Sequence, residues 1–353
     1  MTMKAARWHE RQDVRIEDVP ECRPQPGHVK LKVHYCGICG TDIHEYLEGP
    51  MFIAKDPHPL TGYSAPVIIG HEFAGEIIEL GEGVTGWAVG DRVAPEGYYI
   101  CHECHYCQRH EYNRCERLAF HGFSAPGGLA ETVCVPTYQL YPLDPRVSWE
   151  EAALVEPTAV AVRAVNHVKP LLGECALVVG AGPIGLAVVQ VLRAAGINRI
   201  AVVEPAHRRR EMALAFGATI ALDPRSDDVE REIASFTGRL GADVAFECGG
   251  NDAAYQTAVR NTRKGARICL VSQTNAPFRL FVNEIGFNER VLIGTVAYCG
   301  EFAPAIQLIA EGKVRARDMI TARIGLEQLV SVGYRELMEH TDEHIKIIVS
   351  PTI

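Results

Sequence analysis

Cys101, Cys104, Cys107 and Cys115 follow the pattern Cys-x2-Cys-x2-Cys-x7-Cys within a single 15-residue stretch. Four thiolates so close suit a tetrahedral zinc, and a closed shell of four sulfurs leaves no place for a substrate, so the implied role is structural. An iron–sulfur cluster is the rival reading, because ferredoxins also use Cys-x2-Cys-x2-Cys. Their fourth cysteine follows sooner and precedes a proline, whereas here seven residues intervene and Glu116 follows. A second, dispersed set comprises Cys39-Gly40-Thr41-Asp42-Ile43-His44, Gly70-His71-Glu72 and Glu156-Pro157. Taken singly, Cys39 and His71 read equally well as buried core residues, and Glu156 as a charge beside a helix-starting proline. Together they offer one sulfur, one nitrogen and one or two carboxylate oxygens, a donor set able to hold an open catalytic zinc. Thr41 and His44 share a face if a helix starts there, an arrangement suited to a hydroxyl and an imidazole passing a proton.

A third signal is Gly180-Ala181-Gly182-Pro183-Ile184-Gly185, directly after an apolar strand and opening a helix. In that setting Gly180 permits the tight turn, Gly182 lets a pyrophosphate approach the backbone, and Gly185 lets helix and sheet pack closely. Pro183 and Ile184 lie on the helix N-terminus that would face the phosphates. Glu204 stands 19 residues beyond Gly185, after the second strand, where a carboxylate can accept both ribose hydroxyls of NAD and repel a ribose phosphate. Arg208, Arg209 and Arg210 read as a solvated helix turn, but a side chain there, Arg209 among them, could reach a cofactor phosphate. The balance favours NAD over NADP.

Two kinds of scaffold must position these groups. From residue 1 to about 150 the sequence reads as short strands, such as Val14–Ile16 and the alternating His28–Val33, divided by many turns, with a proline-rich functional loop over residues 50–66. Thereafter strand and helix alternate: Ala176–Val179, a helix from Pro183, Arg199–Val203, a helix from His207, Asp243–Phe246, a helix from Asp252, Arg267–Val271 and Val291–Thr295. That order predicts a doubly wound parallel sheet. Helices near 302–311 and 327–339 and a strand at 345–349 follow. The length of 353 residues fits two domains, and 47% hydrophobic residues fit ordinary cores. With 35 basic against 44 acidic side chains the formal charge is −9, which argues against nucleic acid or an anionic membrane as partner. The uncharged run Cys175–Leu192 is cut by glycines and a proline, so it reads as strand, turn and helix, not as a membrane span. Met1–Glu10 lacks the apolar stretch of a secretory signal, so a reducing cytoplasm is expected. There Cys22, Cys36, Cys134, Cys175, Cys248, Cys269 and Cys299 would be free thiols, several of them buried in strands.

The order of Gly37-Ile38-Cys39-Gly40-Thr41-Asp42, Gly70-His71-Glu72, the four-cysteine lobe, Val155-Glu156-Pro157 and the glycine fingerprint resembles the zinc-dependent medium-chain alcohol and polyol dehydrogenases over essentially the whole chain. The resemblance implies an α/β protein: a GroES-like β-rich catalytic domain (1–156, completed by 296–353) and a Rossmann-type NAD-binding domain (157–295). Within that family, Gly49–Phe73 is similar to the extended loop of the 2,3-butanediol dehydrogenases, or acetoin and diacetyl reductases. Sorbitol dehydrogenases carry an Arg-Tyr pair where this chain has Ala297-Tyr298, and loss of that guanidinium suits a small diol better than a sugar alcohol.

Carried over by position, the resemblance implies Cys39 and His71 as catalytic-zinc ligands, Glu156 as a ligand or holder of the zinc water, and Glu72 either on the metal or directly behind its ligands, since members of the family differ in which carboxylate touches it. It also implies a second, structural zinc in the lobe, Thr41 as hydroxyl relay, His44 as outer proton carrier, and Tyr46 and Tyr298 on the substrate side. The implied reaction moves a proton from a secondary alcohol through Thr41 and His44 toward solvent and a hydride to NAD, in a homodimer or homotetramer. Sorbitol or threonine dehydrogenase of the same family is the alternative substrate reading, and a non-enzymatic zinc- and nucleotide-binding redox sensor is the alternative from another class.

Overall fold

The computed structural model describes residues 1–352, and the chain divides into two units. The first comprises residues 1–156, 305–310 and those from Ala316 on, and the second residues 157–304 and 311–315.

In the first unit the strand His28–Gly37 is central. Alternation places Val29, Leu31 and Val33 fully in the core. This strand pairs antiparallel with Glu72–Leu80, with Thr132–Pro136 and with Lys346–Ser350. The last of these pairings sets Val349 opposite Cys36 and Ile348 opposite Gly37, so the C-terminal strand begins, at Lys346, beside the Ile38–Cys39 segment. A smaller sheet joins Asp13–Pro20, Thr2–Glu10 and Val67–Ile68.

The second unit holds a parallel six-stranded sheet in the order Ile220–Leu222, Arg199–Val203, Cys175–Val179, Ala242–Glu247, Thr262–Leu270, Val291–Gly294. This 3-2-1-4-5-6 order is that of a dinucleotide-binding sheet. All five residues of Cys175–Val179 are buried, as a central parallel strand covered on both faces requires. The apolar run beginning there turns at the glycines into helix Pro183–Ala194, with proline in its first turn. Among the described residues no helix is long and apolar enough to cross a membrane.

Three expectations need correction. The chain first leaves the second unit after Pro304 and not at 296, and residues 311–315 return to it. Residues 296–304 are held there because buried Glu301 faces Arg163 at 3.4 Å and accepts the Cys299 N–H at 2.5 Å. Cys22 and Cys134, expected as free thiols, form a disulfide with Cα atoms 6.1 Å apart. Cys134 lies opposite Lys30 in the strand ladder, and Lys30 pairs with Glu21, which draws the adjacent Cys22 onto Cys134. The helix expected over 327–339 is composite: a 3-10 turn at Leu326–Gln328, a π turn at Leu329–Tyr334 and an α turn at Arg335–Glu339. Tyr334 is fully buried by this arrangement.

Candidate active site and metal centres

From the central strand the chain passes through Ile38 to Cys39, which caps helix Gly40–Glu48 with extended backbone. Asp42 accepts the Cys39 N–H at 2.9 Å, closing a capping box that fixes the helix start. Antiparallel pairing sets Glu72 opposite Gly37, two residues before Cys39. A side chain at Gly37 would collide with the Glu72 carboxylate, so glycine there lets the acid lie across the strand. As a result Cys39 Sγ, a His71 ring nitrogen and a Glu72 carboxylate oxygen all lie within 4.8 Å of one another.

The surroundings of this trio are polar and almost dry. Thr41 Oγ1 stands 3.3 Å from His71 Nε2. The other ring nitrogen, Nδ1, faces Asp42 Oδ1 at 3.8 Å, and both atoms are buried without a hydrogen-bond partner. Lys346, from the C-terminal strand, donates to both Glu72 oxygens at 2.8 and 2.7 Å and to the Ile38 carbonyl at 2.9 Å. Burial works against the Lys346 ammonium, but the Glu72 carboxylate outweighs it and holds the lysine above its usual pKa. Burial, reinforced by Glu72, pushes the Cys39 thiol well up. Burial also raises the Asp42 carboxyl, against the pull of His71. A half-buried thiol, a buried imidazole and carboxylates gathered this closely suit a divalent cation, which would favour the thiolate and take the His71 Nε2 lone pair while Nδ1 stays toward Asp42.

The remaining expected site residues are placed less uniformly. Glu156, 7% exposed near the start of helix Val155–Val168, lies close enough to add to the field on Cys39 and Lys346 but outside the 4.8 Å trio. His44 is part-buried on the Thr41 helix. Tyr46 does not join the trio, and its ring packs at 5.3 Å on Tyr334 against the core. In the second unit Tyr298 is wholly buried, its ring edge-on to Phe302 at 4.8 Å.

Cys101, Cys104, Cys107 and Cys115 also gather within 4.8 Å. The Cys101 sulfur lies 3.9 Å from that of Cys107 and 3.5 Å from that of Cys115, near the ~3.8 Å edge of a tetrahedron with ~2.3 Å zinc–sulfur bonds. Backbone N–H groups point at two of the sulfurs, Cys104 to Cys101 at 3.4 Å and Cys101 to Cys115 at 3.3 Å. Burial opposes ionisation of Cys101, yet the Cys104 N–H and its neighbours hold that thiol down at about 6. Cys107 is pushed up to about 12, by burial first and then by Cys104. Sulfurs this close cannot all ionise without a cation among them.

In the second unit, Gly182 caps helix Pro183–Ala194. A Cβ on Gly182 would find only the Arg209 guanidinium near, at 3.9 Å, so the backbone there is open to a ligand. A Cβ on Gly185 would strike the Gly180 carbonyl, which accounts for that glycine. Glu204 is buried, accepting N–H groups from Ala181 at 2.6 Å and Ala206 at 2.9 Å, so it braces the glycine loop. Arg210 turns away to Asp223 at 3.0 Å and to the carbonyls of Glu204 and Pro205.

Sequence reasoning missed Asp42 and Lys346 as partners of the trio. The signal for Lys346 was its place as the lone charge in the apolar run Ile345–Val349.

Comparison with known proteins matches the same two regions. The family profile "Alcohol dehydrogenase GroES-like domain" covers residues 25–145 and "Zinc-binding dehydrogenase" covers residues 183–311. The chain is 42% identical to the (R,R)-butanediol dehydrogenase of Bacillus subtilis, over 99% of this chain and all of that protein. It is 39% identical, with the same coverage, to that of Neisseria gonorrhoeae. The crystal structure of 2R,3R-butanediol dehydrogenase from Bacillus subtilis superposes with a TM-score of 0.92 at 41% identity, covering 99% of both chains. Full-length identity at this level, on a GroES-like unit followed by a Rossmann-type unit, makes the chain a member of the zinc-type medium-chain alcohol dehydrogenase family.

Proposed function

We propose that this protein is a zinc-dependent, NAD-linked dehydrogenase that interconverts a small vicinal diol and its hydroxyketone, (R,R)-2,3-butanediol and acetoin fitting best. The observation that carries this reading is the Cys39, His71 and Glu72 trio in a chain 42% identical, end to end, to a butanediol dehydrogenase. When bound, zinc would lower the pKa of the carbinol and NAD would take its hydride.

Cys39 and His71 would hold the catalytic metal. Lys346 donates to both Glu72 oxygens and fixes that carboxylate, and either Glu72 or Glu156 would complete the ligand set. Asp42 faces His71 Nδ1 and orients the ring, leaving Nε2 toward Thr41. The Thr41 hydroxyl would accept the alcohol's proton, and His44, three residues on along the same helix, would carry it outward. The four-cysteine lobe would hold a second, structural zinc. At the glycine loop, Gly182 would admit the NAD pyrophosphate, and Glu204 and Arg209 would flank the adenosine ribose.

We place the protein in a reducing cytoplasm, which would keep Cys39 and the lobe thiols available for zinc and would also act to open the Cys22–Cys134 link. We also infer assembly with a second copy. Strand Val291–Gly294 is an unpaired sheet edge, and Phe281, Val282, Phe287 and Val291 in and before it are exposed.

Cys39→Ala tests the catalytic assignment. The variant should fold, retain the lobe zinc and bind NADH while losing alcohol-dependent turnover. Full activity would sink the assignment.

A further inference from the structure

Glu45 is a buried carboxylate, 1% exposed, with no lysine, arginine or histidine in ion-pair range among the described residues. Its charge is met by the backbone of the next loop. Oε1 accepts the N–H groups of Met51 at 3.1 Å, Ile53 at 3.2 Å and Phe52, and Oε2 accepts that of Met51 at 3.0 Å. The Glu45 carbonyl also accepts the indole N–H of Trp8 and the N–H of Gly49, both at 3.0 Å. Three successive amides turned onto one carboxylate form an anion nest, here filled by a side chain of the protein itself.

The position of the nest relates it to the chemistry. Glu45 is four residues after Thr41 on helix Gly40–Glu48, hence on the same face one turn on. Thr41 reaches toward His71, and Glu45 grips the loop. Of the gripped residues, Ile53 is buried in the core, while Phe52 is 47% exposed with its ring 5.6 Å from Phe123. Phe123 in turn lies 5.0 Å from the His71 ring. An apolar wall, Phe52 on Phe123 on His71, therefore runs from the metal trio outward, and its outer ring sits on a loop that Glu45 holds.

We propose that Glu45 is a positioning residue for substrate selection: it fixes residues 51–53 so that the Phe52 ring bounds the space beside His71 and restricts it to a vicinal diol with short arms. This rests on the reading that alcohol is oxidised at the Cys39, His71 and Glu72 site. In Glu45→Gln one acceptor oxygen becomes an NH2 group that opposes the loop amides. In Phe52→Ala the nest stays and the ring is lost.

The test compares 2,3-butanediol with 4,5-octanediol, the same reacting group with longer arms, in the zinc-loaded protein. It also measures hydrogen exchange at the amides of residues 51–53. Phe52→Ala should narrow the wild-type preference in kcat/KM for the shorter diol by about tenfold or more, with those amides still protected. Glu45→Gln should speed exchange at the same amides by about tenfold or more and raise KM for butanediol more than it lowers kcat. An active wild type whose preference is the same in Phe52→Ala, or a Glu45→Gln variant with unchanged exchange, overturns the proposal. A zinc-loaded wild type inactive on both diols overturns instead the dehydrogenase reading on which it rests.

Discussion

Replacing Lys346 by methionine removes a cation whose three N–H groups are all used, on Ile38 and on both oxygens of Glu72, at 2.7–2.9 Å. The side chains are 2% and 1% exposed, so water cannot replace the lost partner. Breaking such a pair from one side leaves an uncompensated buried charge and costs about 3–5 kcal/mol. Replacing both partners, as in Glu72→Gln with Lys346→Met, removes the stranded charge and should recover about 1 kcal/mol or more. The three tryptophans, Trp8, Trp87 and Trp149, all lie in the first unit, so their fluorescence during urea unfolding reports the unit that holds this pair. The single variant should unfold at a clearly lower urea midpoint than wild type, with the double variant between them. A single variant within about 1 kcal/mol of wild type, or a double variant no better than the single, would refute the view that Lys346 neutralises Glu72.

Cys101→Ser should lower zinc from about two per chain to about one and reduce stability while leaving NAD-linked turnover measurable, by metal analysis and assay side by side. Asp42→Asn should weaken zinc retention at the catalytic site by about 10–100-fold, seen in competition with a chelator, because His71 loses the carboxylate facing Nδ1. Cys22→Ser, or a dithiol reductant acting on the wild type, opens a cross-link between residues 112 apart. Either should cost about 2–4 kcal/mol in the same tryptophan unfolding experiment, and equal midpoints with and without reductant would show that the link contributes nothing.

Local patterns in the sequence were the ones that could be read directly. The turn at Gly180–Gly185 depends on residues adjacent in the chain, and the four cysteines of the lobe lie close enough that a single loop must bring them together. Alternation in His28–Val33 identified the central strand because one face of it is buried. Lys346 escaped notice because its partner is 274 residues away and only the strand ladder to Gly37 joins them. The Cys22–Cys134 link was hidden for the same reason, since neither residue has a neighbour in sequence that betrays the pairing. Glu45 reads as an ordinary polar helix residue until the loop folds onto it. The expected helix over 327–339 has helical spacing, but Gly333 must pack against Ile38 and Ile324, and the backbone meets that by changing its hydrogen-bond register. Tyr46 is five residues beyond Thr41, a separation that turns it ~140° around the helix toward Tyr334, a packing partner far away in the sequence.

The most direct test of the account is NAD-linked turnover of the separate butanediol stereoisomers beside acetoin, sorbitol and L-threonine, in protein of measured zinc content. The account predicts that (R,R)-2,3-butanediol and acetoin are turned over with kcat/KM about 100-fold or more above sorbitol and threonine. Sorbitol well above butanediol would contradict the substrate assignment, and a zinc-loaded protein that oxidises none of these alcohols would contradict the central claim.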